Sequence, residues 1–167
     1  MGNVQIVGRV VIVTGPVSTG KGSLCRKICE QYDEGFSSVV TMKRANPNNA
    51  ASIGAVLNAN KKVKASISAG KLTIIRVEGM TYEHIVSLIS SIRVMEYVDK
   101  ITLVKINIPE ELHIDYWKRN RKQSKITFKR LKRERADYKK IVDAKDFVDS
   151  KVSCVEINDP EDVVFEF

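Results

Sequence analysis

The sequence predicts an α/β fold: a five-stranded parallel sheet with helices on both faces and a short lid after the fourth strand. Three observations carry this. Short β-branched runs alternate with amphipathic helical patterns along the chain, the order that builds parallel sheets. The first run leads into Gly15-Pro16-Val17-Ser18-Thr19-Gly20-Lys21-Gly22-Ser23, a glycine-rich turn placed before a helix. No internal repeat or low-complexity linker divides the 167 residues, so one domain is expected over 1–167.

The elements follow in order. Val10–Thr14 is a short buried strand, and Gly20 to about Tyr32 is a helix with Leu24 and Ile28 on one face. Ser37–Met42 has the β-branched content of a second strand. Asn46-Pro47-Asn48-Asn49 turns the chain into a helix over Ala50–Ser68, with Ile53, Val56, Leu57 and Val63 apolar. Gly70-Lys71 stops it, and Leu72–Val77 is the third strand. Thr81 to about Tyr97 reads as a helix burying Ile85, Leu88, Ile89, Ile92 and Met95. Ile101–Ile108 is the fourth strand, and Pro109-Glu110-Glu111 opens the next helix. A basic lid over about 118–128 precedes a helix to about Val142, and Val152–Ile157 closes the sheet. Ligand sites in such sheets lie at the carboxyl ends of the strands, where the glycine-rich turn, Lys43, Arg44 and Glu78 all fall.

Composition narrows the class. Hydrophobic residues make up 43% and charged residues 29%, as in soluble globular chains. Val10–Val13 is too short for a signal-peptide core, Ile6 spoils a myristoylation signal, and no run is long enough to span a membrane. A cytoplasmic protein is expected. The cysteines are odd in number; Cys25 and Cys29 share a helix face, and burial fits them better than redox or metal chemistry. His84 and His113 have no neighbours that form a triad or a ligand set. The net charge of +8 is concentrated in Lys118–Lys125 and Lys129–Arg135. A polyphosphate ligand explains part of that cluster; the rest is solvated helix surface or a nucleic-acid contact through the lid region. Tyr116, Trp117 and Tyr138 flank it, either to stack on bases or to anchor helices on the sheet.

The glycine-rich turn carries the chemistry. Gly, four residues, then Gly-Lys, between a strand and a helix, wraps backbone N–H groups around a triphosphate. Gly15, Pro16, Val17, Ser18, Thr19, Gly20, Lys21, Gly22, Ser23 and Leu24 are therefore the candidate ATP-binding residues. Lys21 would reach the β- and γ-phosphates. Gly22 takes the position of the usual hydroxyl, leaving Ser23 as the candidate magnesium ligand. The Gly-Lys-Gly-Ser variant points to a mononucleotide kinase rather than a GTPase or a motor ATPase.

Over nearly its whole length the chain resembles guanylate kinase and its nucleoside-monophosphate-kinase relatives, enzymes of the P-loop NTPase fold. The matching segments are Thr14–Leu24, Phe36–Arg44, Gly70-Lys71 with the following strand, Pro109-Glu110-Glu111-Leu112, Arg119-Asn120-Arg121 with Ser124, Arg130-Leu131, and Ile157-Asn158-Asp159. The resemblance implies ATP-dependent phosphoryl transfer, with Mg²⁺, to a nucleoside monophosphate or similar small phosphorylated acceptor. It implies that Lys21, Arg119, Arg121 and Arg130 act on the transferring phosphoryl, and that Asn158 approaches the adenine edge. Arg44, or Lys43 one step earlier, would bind the acceptor phosphate, with Arg76 beside it. Arg76 alternatively pairs with a neighbouring carboxylate. Glu78 would orient Mg²⁺ through water, or is a surface loop charge.

The family pattern is also broken. Its acceptor subdomain carries tyrosines and a base-reading glutamate, whereas residues 45–69 hold no tyrosine, glutamate or aspartate. The family's Asp-x-Asp falls on Arg76 and Glu78, so guanine specificity is not carried over. The alternative reading is a nucleotide-binding module that is weak or inactive in catalysis and acts by binding protein or nucleic acid. The 45–69 helix could then also face a second copy in a homodimer.

Overall fold

The computed structural model describes residues 8–32, 37–43, 60–79, 81–120 and 125–161. The elements are β1 (Arg9–Thr14), α1 (Lys21–Gln31), β2 (Ser37–Lys43), a helical stretch over 60–68 (α2), β3 (Leu72–Glu78), α3 (Tyr82–Arg93), β4 (Lys100–Ile106), α4 (Glu110–Asn120), α5 (Phe128–Asp143) and β5 (Val152–Ile157). The strands form one sheet in the order β2-β3-β1-β4-β5, with every pairing parallel.

Strand periodicity sorts the core into two layers. Val10 and Ile12 of β1, Ile75 and Val77 of β3, and Ile101 and Leu103 of β4 pack against α2, α3 and α5. Val11, Val13, Ile74, Val104 and Ile106 point the other way, onto Leu24, Cys25 and Ile28 of α1 and Tyr116 of α4. Helices on both faces explain why the strands read as continuous apolar runs. Leu88 of α3 is fully buried in the first layer. Leu88→Ala is expected to lower stability by about 2–5 kcal/mol, read as a shifted urea midpoint at constant m.

Two boundaries differ from the sequence reading. The helix expected to about Tyr97 ends at Arg93. There the chain leaves the helix through turns in which Met95 N–H bonds Ile92 and Val98 N–H bonds Met95, and Tyr97 is exposed. The fourth strand stops at Ile106 rather than Ile108, although Asn107 N–H still bonds the Ile157 carbonyl. Pro109, with no N–H, cannot extend the ladder.

Sheet order also places the site. After β1 the chain runs to the edge strand β2, and after β3 it crosses β1 to reach β4. A crevice opens at such a reversal, at the carboxyl ends of the strands. Val13 is paired there with Arg76 on one side and Val104 on the other.

Candidate phosphate-binding site

The glycine-rich loop joins β1 to α1 at this crevice. Gly20, the N-cap residue of α1, sits at φ 83°, where a side chain would be strained, and no side chain caps the helix. Ser18 also has positive φ, 58°, and Thr19 Oγ1 donates to the Pro16 carbonyl at 2.8 Å. The first N–H groups of α1 thus end in a helix terminus suited to an anion. Lys21, only 4% exposed, donates to the carbonyls of Gly15 (2.9 Å) and Pro16 (2.8 Å). Burial lowers its pKa, an effect that Glu78 opposes and Arg76 reinforces.

Two side chains hold the loop: His113, which has no evident partner in the sequence, and Tyr138, for which the sequence leaves base stacking or helix anchoring open. His113 of α4 is fully buried, with Nε2 2.7 Å from the Val17 carbonyl and Nδ1 3.4 Å from Arg135 Nη1. Arginine can only donate, so Nδ1 accepts and the neutral ring donates its Nε2–H to Val17. Arg135 also donates to the Ile108 carbonyl. On the other side, Tyr138 of α5 places its hydroxyl 2.9 Å from Thr14 Oγ1 and 3.2 Å from the Thr14 carbonyl, while Thr14 Oγ1 donates to Val104. Burial raises the Tyr138 pKa, so it stays a neutral strut.

Burial is the main cause that lowers the His113 pKa from its ordinary 6.5. The folded state then binds fewer protons than the unfolded state between that lowered value and 6.5, so stability rises with pH across this window. As pH falls through it, the His113 contribution is lost. Wild type is expected to lose more stability than His113→Gln between about pH 7.5 and about pH 5.5, compared by urea melts. Equal losses would contradict the neutral-strut role.

Arg76 and Glu78 leave β3 on the face of α1. Arg76 Nε donates to Glu78 Oε1 at 2.6 Å, and Glu78 Oε2 lies 3.7 Å from Lys21 Nζ. Of the two alternatives for Arg76, the pair with a neighbouring carboxylate is present, and the side chain also borders a cleft. That cleft, of about 1140 Å³, is walled by Val17, Arg76, Glu78, Arg130, Arg133 and Asp137. A second cavity of about 510 Å³ runs past Gly15, Thr81, Tyr82 and Tyr138. Gly79, Glu134 and Asp137 line both. Positions 130, 133, 134 and 137 are spaced for one face of α5, a signal readable in the sequence that would have added Arg133 to the candidates.

Other predicted residues fall elsewhere. Arg119 pairs with Glu161 at 3.0 Å and lies over the Tyr116 ring, away from the cleft that Arg130 lines. Tyr116 donates to Asp159, and Lys27 donates to the Pro160 and Glu161 carbonyls. This seats the turn that begins at Asn158 beside Gly20. Arg119 and Asn158 therefore share the Gly20 side of the loop, whereas Arg76 and Arg130 share the cleft. Lys43 ends β2 in register with Glu78, while the Lys43 side chain, Arg44, Arg121 and Ser124 lie outside the described residues, as do 44–59 of the acceptor region.

A side-chain-held magnesium does not fit these donors. Ser23 is exposed, and its Oγ accepts from Arg26 at 3.3 Å. Glu78 is engaged by Arg76 and faces Lys21. Among the described residues no three His, Cys, Asp or Glu side chains gather as a metal site. Cys25 is buried, which pushes its thiol up to about 12 and leaves it inert. The aromatics are anchors: Trp117 Nε1 donates to the Ile126 carbonyl and its ring lies against Phe128.

No family model matches the chain, and no curated protein sequence does. Among solved structures it is similar to an unliganded sugar kinase from a Janibacter species, with TM-score 0.59 and 15% identity over 92% of this chain and 88% of that one. It is also similar to a candidate kinase from Chloroflexus aurantiacus, with TM-score 0.51 and 11% identity over 97% and 91%. The chain shares the fold of these two proteins. At these identities the likeness is of fold alone, and it does not single out guanylate kinases. Among the described residues no helix is long and apolar enough to cross a membrane.

Proposed function

We propose that this kinase-like chain transfers a phosphoryl group from ATP to a small phosphorylated acceptor, such as a nucleoside monophosphate. One observation carries the reading: Val17 of the loop lines a cleft with Arg76, Glu78, Arg130 and Arg133. Within it Glu78 lies 3.7 Å from buried Lys21, while Arg76 lies against Gly22 at the uncapped start of α1. The donor phosphates would lie on the α1 N–H groups and take Lys21 from the Gly15 and Pro16 carbonyls. Its nucleoside end would run toward Asn158 and Arg119. The acceptor phosphate would meet Arg130 and Arg133.

Little covalent chemistry is then asked of the protein. An acceptor phosphate oxygen attacks the γ-phosphorus, and the bond to the β–γ bridging oxygen breaks, leaving ADP. Positioning and charge neutralisation lower the barrier. Tyr138 and His113 keep the loop from shifting, which matters because small misplacements cost rate steeply. The reading is tested by ATP turnover against a panel of acceptors, with Lys21→Ala as the blank.

A further inference from the structure

In loops of this kind the residue after the lysine supplies the hydroxyl that holds magnesium. Here it is Gly22, and an arginine stands in the space its side chain would enter. A Cβ on Gly22 would lie 2.7 Å from Arg76 Nη1 and 3.3 Å from its Cζ. A side chain at position 22 would have to displace the outer end of this guanidinium. Glu78 fixes the guanidinium through Nε, so its two Nη groups remain beside the start of α1. The side chain is 37% exposed and lines the cleft, so a ligand can reach it.

Resting on the phosphate-binding reading of the loop, we propose that Arg76 is a built-in counter-cation for the donor phosphates. It stands where a hydroxyl would otherwise hold magnesium, and nucleoside polyphosphates therefore bind with little dependence on divalent metal. Three features support this. Arginine keeps its charge at any working pH and presents a planar fork that matches phosphate oxygens. The two alternative metal ligands, Ser23 and Glu78, already bond Arg26 and Arg76. Lys21 lies close enough to share Glu78, so both cations converge on one end of α1.

The test is ATP binding by calorimetry in excess Mg²⁺ and in excess EDTA, with each variant's fold checked by circular dichroism. Wild type should bind with dissociation constants that differ by less than about threefold between the two media. Arg76→Ala should weaken binding in EDTA by about tenfold to a hundredfold and less in Mg²⁺. Arg76→Lys should recover part of the loss. Gly22→Ser, which displaces the guanidinium and restores a hydroxyl, should bind better in Mg²⁺ than in EDTA. The proposal is overturned if wild type loses more than about tenfold in EDTA, or if Arg76→Ala matches wild type in both media. If folded wild type binds no ATP in either medium, the phosphate-binding reading fails and this inference falls with it.

Discussion

Lys21→Ala is expected to lower ATP turnover by about 10²–10³-fold, the loss typical of removing one preorganised charge donor. Lys21 is buried against the loop carbonyls it would leave on binding phosphate. Burial favours its neutral form, whereas bound phosphate favours the charged one. In the unliganded protein the folded state binds fewer protons than the unfolded state from the lowered pKa up to 10.5, so this group's contribution to stability rises with pH there. Affinity for ATP runs the opposite way and falls as pH climbs through that lowered value. A titration of the dissociation constant upward from neutral pH checks it. An affinity that stays flat as pH rises to 10.5 would contradict a phosphate contact by Lys21.

The second large effect is expected from the double variant Arg130→Ala/Arg133→Ala. Three cations (Arg76, Arg130, Arg133) face three carboxylates (Glu78, Glu134, Asp137) in the cleft. Removing two of the cations leaves the wall net negative, and Glu134 loses the Arg130 partner now 2.8 Å away. A phosphorylated acceptor would then be repelled. The acceptor's kcat/KM should fall by about 10²-fold or more, while ATP affinity changes by less than about threefold. If ATP affinity falls as far as kcat/KM, Arg130 and Arg133 serve the donor, and the acceptor assignment is wrong.

Much of this architecture was legible because parallel strands buried on both faces write themselves as apolar runs. Val10–Val13 and Leu72–Val77 are examples, and the loop between β1 and α1 has a spacing few other structures need. What escaped was tertiary. His113 looked isolated because its partners, Val17 and Arg135, are distant in sequence and one is a backbone carbonyl. For Tyr138 the sequence leaves stacking and anchoring open, and the bonds to Thr14 show the anchor, which ties α5 to the end of β1. A carboxylate partner for Arg76 is one of the two sequence alternatives, but only the packing of β3 on α1 shows the guanidinium against Gly22. The family resemblance groups Arg119 with Arg130 on the transferring phosphoryl. In the fold Arg119 pairs with Glu161 on the Gly20 side of the loop, and Arg130 lines the cleft.

The central claim is tested most directly by ADP formation from ATP against all ribo- and deoxyribonucleoside monophosphates, with Lys21→Ala as the blank. Turnover that requires one acceptor and disappears in the variant is the predicted result. ATP binding without any acceptor-dependent turnover above the blank would contradict a small-acceptor kinase and leave a nucleotide-binding module in its place.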